Sequence, residues 1–318
     1  MTTMSDYEPL LSTIRPMMGK LSRWVGYSLT QDGDAWDLTI YVPPGWETLA
    51  SVLDDFALLR VPKVRIHRVE MNRFSVVPAP VALAPALALA PALASAPALP
   101  RAVPIGSTVS VVWPGGNTLG SIGAYVRTLE GVWLLTANHV LACNGRHLPL
   151  ANHDHGVFLG SQRVSRTIVY RELEPQRCQA DAAACLLDPT ANIIPAWPTG
   201  WNPNPNPYTP SVGDPVKVSV NGVDVAGTVK DLGAFKVSMS SANFPCDLDM
   251  VEFSCSIVVQ TVDARFARPG NSGGLVVTAD AACRPIGLIT GTTIDNLVVI
   301  SPLAKALADL GLPGQIIV

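Results

Sequence analysis

Short runs of alternating apolar and polar residues recur after about residue 105, separated by Gly, Pro and Asn. Such spacing is typical of antiparallel barrels or sandwiches and differs from that of βαβ units. The pattern predicts strands over 108–113, 121–127, 132–135, 182–187, 215–220, 223–230, 250–259, 275–277, 286–290 and 297–300. Residues 301–310 have the apolar spacing of a closing helix.

The first 76 residues show a different pattern. Alternation over 24–29 and 36–42, with a polar turn at 31–34, predicts a β-hairpin. Residues 47–59 have helical apolar spacing and 64–69 predict a third strand. We therefore expect a small α+β module over 1–76, without a catalytic cluster. A regulatory or docking role and a simple packing extension of the following domain both fit this pattern.

An uncharged Ala/Pro-rich segment separates the two regions, and we assign it to a linker over 77–104. Its apolar character resembles that of a membrane span. Proline recurs every few residues, however, and each proline removes a backbone donor and breaks helical geometry. A semi-rigid, partly polyproline-II spacer is the better interpretation. The remaining residues, 105–318, form the main predicted domain.

Composition narrows the class of protein. The formal net charge of −3 over 318 residues gives no reason to expect a nucleic-acid partner. The polar, acidic N-terminus lacks the basic start and apolar run of a signal peptide, so a cytoplasmic location is the default expectation. The six cysteines include no CxxC pair. In a reducing compartment we expect them to be free thiols, most of them buried.

Three short segments carry candidate chemistry: GNSGG at 270–274, LTANHV at 135–140 and DAAA at 181–184. Acyl transfer needs a nucleophile, a base and a group that orients the base. Ser272, His139 and Asp181 supply these three groups. A serine hydroxyl is a poor nucleophile without a base, and a histidine titrates near neutrality.

These motifs and their spacing resemble those of chymotrypsin-like serine proteases, and among these the bacterial cytoplasmic, trypsin-like type. The resemblance covers roughly 105–318. It implies an all-β fold of two antiparallel six-stranded β-barrels with a C-terminal helix, preceded here by the small α+β module. His139 and Asp181 would lie on the first barrel and Ser272 on the second. Asn271 replaces the aspartate of the GDSGG motif, so we expect no activating ion pair to a newly cut N-terminus.

The same resemblance implies further site residues. The amides of Gly270 and Ser272 would form the oxyanion hole, and the glycines would allow the sharp turn that this requires. Phe266 would form the floor of the substrate pocket, and the pocket walls would come from three later residues: Thr290, Gly291 and Thr292. A floor without an acid favours a small or medium apolar side chain before the cleaved bond. The loop with Cys143, His147, His153 and His155 fits no standard zinc spacing, and no metal is assigned.

The sequence therefore predicts a serine endopeptidase that uses an acyl-enzyme and needs no cofactor. Its partner would be a protein or peptide substrate, with a latent effector protein among the candidates. The alternative is a catalytically silent peptide-binding module on the same fold. Self-cleavage within about 75–104 is a further hypothesis that the linker composition suggests.

Overall fold

The computed structural model describes residues 24–32, 35–45, 64–76, 100–113, 116–145, 156–165, 167–174, 180–202, 204–239, 250–312 and 315–316. The predicted helix over 47–59, most of the linker and three histidines of the candidate zinc loop (His147, His153 and His155) lie outside these residues. No helix in the described part is long and apolar enough to cross a membrane.

Strands dominate the described residues, and they are numbered here in chain order. Strands β1 to β21 are Gly26–Asp32, Ala35–Val42, Val64–Glu70, Phe74–Ser75, Arg101–Pro104, Thr108–Trp113, Gly116–Ser121, Ala124–Arg127, Val132–Thr136, Gly156–Leu159, Gln162–Ser165, Thr167–Tyr170, Ala183–Leu186, Ile193–Ala196, Pro215–Val220, Val223–Ser238, Val251–Gln260, Leu275–Thr278, Pro285–Thr292, Leu297–Pro302 and Gln315–Ile316. The described part of the chain also contains two α-helices, α1 (Asn138–Leu141) and α2 (Leu303–Asp309).

The first barrel closes through two interrupted strands. β7 and β8 flank Ile122 and Gly123, and together they pair with β6 on one side and β9 on the other. β11 and β12 likewise divide their pairing between β10 and β13. The β9–β13 and β6–β10 pairs complete a ring of six strand positions. The predicted strand over 121–127 is therefore the second half of a longer, broken strand.

The second barrel is a continuous antiparallel ring. Its order is β15-β18-β19-β20-β17-β16, and the β15–β16 pair closes it. Buried aliphatic residues from alternating strand positions fill it, among them Val216, Val259, Ile286 and Val298. The predicted all-β fold with two six-stranded barrels and a C-terminal helix is confirmed.

The N-terminal strands extend the second barrel. β1 and β2 form the predicted hairpin, and β3 adds parallel to β2. β1 pairs with the far half of β16, where Gly26 lies opposite Phe235. A shared apolar cluster lies beneath this junction and contains Val25, Tyr41, Phe74, Phe235, Val237 and Phe253. The hairpin is thus continuous with the sheet of the main domain, and the domain boundaries at 76 and 104 stay a prediction.

Helix α2 links the two barrels. It follows β20 of the second barrel, yet Leu303 and Ala306 are buried in the core of the first barrel. Asp309, at the end of the helix, accepts a hydrogen bond from the Ala180 N–H at 2.8 Å. The helix therefore fixes the chain immediately before Asp181.

The cysteines differ from the expectation of six free thiols. Cys143 forms a disulfide bond, and its partner lies outside the described residues. Cys185, Cys255 and Cys283 are not part of a disulfide bond. Cys185 and Cys283 are buried, as predicted, and burial raises the pKa of the Cys185 thiol to about 12. Cys255 is only half-buried.

Asp231 lies on β16, where its side chain contacts Ser28 of the N-terminal hairpin. Its carboxylate accepts hydrogen bonds from the Ser28 hydroxyl at 3.0 Å and from the Leu232 N–H at 2.8 Å. Burial outweighs both bonds and raises the pKa of Asp231 from 3.8 to about 6. Because the folded protein holds this proton more tightly than the unfolded chain, the stabilisation is complete below about pH 4 and is lost as the pH rises through 6.

We predict that Asp231→Asn stabilises the protein at pH 7 by up to about 3 kcal/mol, because the amide keeps the hydrogen-bonding geometry without the buried charge. At pH 4 the two proteins should unfold at similar denaturant concentrations. Urea unfolding at both pH values measures the difference. An equal change at pH 4 and pH 7 would contradict the assignment of a buried charge.

Candidate active site

His139 lies where β9 ends on the inner edge of the first barrel. After Thr136 the chain stays extended at Ala137 and then turns into the one-turn helix α1. The His139 side chain is buried, with 3% of its surface exposed. The buried Asn138 beside it donates a hydrogen bond to the Arg171 carbonyl at 2.8 Å and accepts one from the Asn144 N–H. This pair of bonds fixes the start of the helix.

Asp181 contacts His139 twice. Its Oδ2 lies 2.6 Å from His139 Nδ1, and its Oδ1 accepts the His139 backbone N–H at 3.1 Å. A carboxylate can only accept a hydrogen bond, so this arrangement places the ring hydrogen on Nδ1 and leaves Nε2 as the basic nitrogen. The predicted contact between His139 and Asp181 is therefore present, and the catalytic roles of the two residues stay a prediction.

A residue of the second barrel binds the backbone of Asp181. The Asp181 N–H donates to Ser301 Oγ at 3.0 Å, and Ser301 shares a 2.9 Å hydrogen bond with Thr290 Oγ1. Asp181 and Thr290 are fully buried. Thr290 thus contacts Ser301, the residue that accepts the Asp181 N–H. It is not among the residues that line the small pocket beside Ser272, where the sequence assigned it.

Ser272 lies in a tight turn that its own backbone fixes. Gly270 and Gly273 have φ values of +94° and +81°, the region that glycine adopts without strain. The Asn271 N–H donates to the Arg268 carbonyl, and the Gly274 N–H donates to the Asn271 carbonyl, both at 2.9 Å. The turn therefore needs glycine on each side of the Asn-Ser pair.

This turn is fastened to the first barrel beside His139. The Ser272 carbonyl accepts the Ser121 N–H at 2.8 Å, and Ser121 Oγ donates to the Gly270 carbonyl at 2.9 Å. Gly273 approaches so closely that an added Cβ would lie 2.0 Å from Thr136 Oγ1 and 2.6 Å from the Ala137 nitrogen. Ala137 is only two residues from His139. The structure thus brings the Ser272 turn to the strand end that carries His139.

Two amides of the turn have free donors. The N–H groups of Asn271, Gly273 and Gly274 donate to protein carbonyls. In the described part of the chain, those of Gly270 and Ser272 donate to none, and the Ser272 hydroxyl forms no hydrogen bond. The two open donors match the pair that the sequence assigns to an oxyanion hole.

A small pocket lies beside Ser272. It is lined by Ala267, Arg268, Ser272, Ile289, Gly291 and Thr292. Gly291 and Thr292 lie in its wall, where the sequence places them.

Phe266 requires a correction. Its side chain is completely buried in the core of the second barrel, with Val229 and Val259 among its cluster. The pocket is lined instead by the next residue, Ala267. Phe266 lies in a short 3-10 turn, Ala264–Ala267, which directs neighbouring side chains in different directions. The number of residues between Phe266 and Ser272 does not reveal which side chain of this turn faces the pocket.

Asn271 has a structural role that the sequence did not indicate. Its side-chain amide donates to the Arg265 carbonyl at 2.7 Å and so ties the nucleophile turn to the preceding 3-10 turn. Ser301 and Asp309 were also missed as supports of the Asp181 segment. Their only signal was their position in or near the closing helix, where polar residues normally face solvent.

Three comparisons relate this chain to known proteins. No protein-family model matches it, and no curated protein matches it. Among solved structures it is similar to Protease A of Thermobifida fusca, with 16% identity over 68% of this chain and 99% of that chain and a TM-score of 0.46. A chymotrypsin of Cellulomonas bogoriensis matches with 17% identity over 68% and 99%, TM-score 0.44. The active form of the Rv3671c protease of M. tuberculosis matches with 14% identity over 70% and 94%, TM-score 0.40.

The two glycines of the nucleophile turn give a matched pair of variants. Gly270→Ala places its Cβ in open space, whereas Gly273→Ala meets Thr136 and Ala137. We predict that Gly270→Ala costs about 1–2 kcal/mol from the positive φ alone. Gly273→Ala should cost at least about 2 kcal/mol more, because the contact with the first barrel must open. Denaturant unfolding measures both, and equal losses would contradict the close approach.

Proposed function

We propose that this protein is a serine endopeptidase in which Ser272 is the nucleophile, His139 the general base and Asp181 the group that orients the base. The observation that carries the proposal is the 2.6 Å contact of His139 Nδ1 with Asp181, beside a serine turn that is fastened to the same barrel edge. The open amides of Gly270 and Ser272 add support, because acyl transfer needs donors for a developing oxyanion.

Acylation follows from this arrangement. Ser272 Oγ forms a bond to the substrate carbonyl carbon while its proton passes to His139 Nε2. The carbonyl oxygen becomes negatively charged and accepts hydrogen bonds from the two open amides. Asp181 stabilises the imidazolium through Nδ1 without taking a proton. The carbon–nitrogen bond then breaks, and His139 returns the proton to the leaving amine.

Deacylation repeats the steps with water. His139 accepts a proton from water as the water oxygen bonds to the acyl carbon. The bond to Ser272 Oγ then breaks, the proton returns to that oxygen, and a carboxylic acid leaves. The proposed reaction thus uses side chains and water, with no cofactor assigned a step. Processing of a partner protein, with a latent effector among the candidates, is the biological role that we infer.

The proposed location is the cytoplasm, and the Cys143 disulfide gives a reason to measure it. Disulfides persist mainly in oxidising compartments. Cell fractionation with an antibody to the full chain distinguishes the two settings, and recovery of the protein outside the cytoplasmic fraction would overturn this part of the proposal.

The nucleophile assignment predicts that Ser272→Ala abolishes labelling by a fluorophosphonate probe and hydrolysis of peptide amides. Asp181→Asn should retain the fold and lose about 10⁴ in kcat, because the ring tautomer is no longer fixed. The exposed Ser211 offers a matched control, and Ser211→Ala should keep both labelling and hydrolysis. Labelling that survives in Ser272→Ala would refute the assignment, whereas peptide binding without turnover by the unaltered protein would favour the silent binding module.

The pocket predicts the residue before the cleaved bond. Its walls combine Ala267, Ile289 and Thr292 with no acid among the lining residues of the described chain. We expect kcat/KM to be highest for Ala or Val at that position in a matched series of peptide amides, and lower for Phe and Lys. A preference for Lys or Arg would contradict the pocket assignment.

A further inference from the structure

Strand β4 lies against the wall of the candidate substrate pocket. It pairs with β16 through Val237–Phe74 and Ser238–Ser75, and with β19 through Thr292–Ser75. An added Cβ on Gly291 would lie 3.1 Å from the Ser75 carbonyl oxygen. Both Gly291 and Thr292 line the pocket beside Ser272. A segment from the N-terminal region is therefore in contact with the candidate active site.

The backbone groups of Ser75 face β19. The Val76 N–H donates to the Ser238 carbonyl at 3.1 Å, so Val76 turns its backbone groups toward β16. Successive residues of a strand turn these groups to opposite neighbours. Ser75 consequently presents its N–H and C=O to the edge of β19 at Thr292.

This edge is the natural docking place for a peptide strand. The pairing of β19 with β18 ends at Leu288–Leu275, so beyond that point β19 has an edge that β18 does not cover. An extended peptide with one side chain in the pocket would run beside Gly291 and Thr292. Adding a strand to such an edge is a general mode of peptide recognition, in which backbone hydrogen bonds supply affinity.

The direction of β4 also matches that of a docked peptide. Its pairing with β19 is antiparallel, so at Ser75 the chain runs from the level of Thr292 toward that of Ile289. Ile289 forms hydrogen bonds with Gly273 and Gly274 of the nucleophile turn. The segment therefore points along β19 toward Ser272.

We propose that β4 is an internal occupant of the strand-accepting edge of β19, and that it competes there with the part of the substrate that precedes the cleaved bond. This inference rests on the proposed peptidase function and adds its regulation. Substrate gains full access only when the Ser75–Thr292 pairing opens. The apparent affinity for an extended peptide is reduced by the fraction of molecules in which that pairing is closed.

The occupant is anchored by the residues that precede Ser75. Phe74 is fully buried and packs edge-on against Phe235 at a ring separation of 5.7 Å. The Asn72 side chain donates to the Asp295 carboxylate, on the loop that follows Thr292. Met71 is joined to the hairpin through its N–H and the Val42 carbonyl at 2.8 Å. The hairpin thus holds β4 in place. A partner that binds the hairpin would change the stability of the Ser75–Thr292 pairing.

Two variants of the full chain test the proposal at one exposed position. Ser75→Pro removes the N–H that faces β19 and leaves Phe74 and the Val76 bond in place. Ser75→Ala is the matched control, because it keeps the N–H. The substrates are a chromogenic tetrapeptide amide ending in Val and the p-nitrophenyl ester of acetyl-valine, which reaches only the pocket and Ser272.

We expect Ser75→Pro to raise kcat/KM for the tetrapeptide about tenfold, the effect of one or two net hydrogen bonds. The ester should be hydrolysed at the same rate by all three proteins, and Ser75→Ala should match the unaltered protein on both substrates. Unchanged tetrapeptide hydrolysis by a folded Ser75→Pro variant would overturn the proposal while the peptidase function stands. Absence of Ser272-dependent ester hydrolysis in the unaltered protein would instead remove the peptidase function, and this inference with it.

Hydrogen exchange gives a second measurement that does not depend on the proline variant. A tetrapeptide phosphonate and a small fluorophosphonate are each bound to the unaltered protein, with mass spectrometry confirming full labelling. We expect the Ser75 amide to lose protection with the tetrapeptide phosphonate and to keep it with the small probe. Protection retained under both probes would show that β4 is a fixed wall of the cleft and would overturn the proposal.

Discussion

The close approach of the Ser272 turn to the first barrel is the constraint on which the candidate site depends. Gly273 fits between Thr136 and Ala137 only because it has no side chain, and Ser121 then bonds the carbonyls of both Ser272 and Gly270. Without this contact Ser272 of the second barrel would not be held near His139 of the first barrel. The N–H groups of Asn271, Gly273 and Gly274 hold the turn in place, and the barrel edge beside it ends in the helix that carries His139. The position of the Ser272 turn relative to the first barrel is thus set mainly by backbone contacts.

The Asp181 segment is held in place from both barrels. His139 supplies a backbone N–H and a ring nitrogen from the first barrel, and Ser301 and Asp309 hold the Asp181 segment from the end of the second. A fully buried charge is costly unless it is paired and hydrogen-bonded. The hydrogen bonds that satisfy this cost also fix the orientation of the imidazole. The same atoms thus satisfy the buried carboxylate and would carry the proposed chemistry.

The features that could be predicted from the sequence are those that depend on the local pattern of residues. Most strand positions follow from apolar alternation, and the order of the His, Asp and Ser motifs pointed to residues that the fold brings toward one cleft. Long-range pairing was not predictable in the same way. Nothing in the alternation of β1 shows that its partner is β16, about two hundred residues later, because many edges offer equivalent backbone donors. Phe266 was misplaced for a related reason, since a single 3-10 turn exchanges which of two adjacent residues faces the pocket. Asp309 could not be distinguished from an ordinary surface acid of a helix.

The pairing of β1 with β16 makes the N-terminal hairpin part of the tertiary structure of the larger domain. Lys236 lies 3.9 Å from the ring centre of Trp24, and Phe235 has its aromatic neighbours in Tyr41 and Phe74. A chain shortened to the two barrels would leave the far half of β16 as a bare edge next to exposed aromatic surface. Unprotected edges of this kind recruit other chains into intermolecular sheets. The hairpin therefore covers an edge of β16 that would otherwise be open to pairing with another chain.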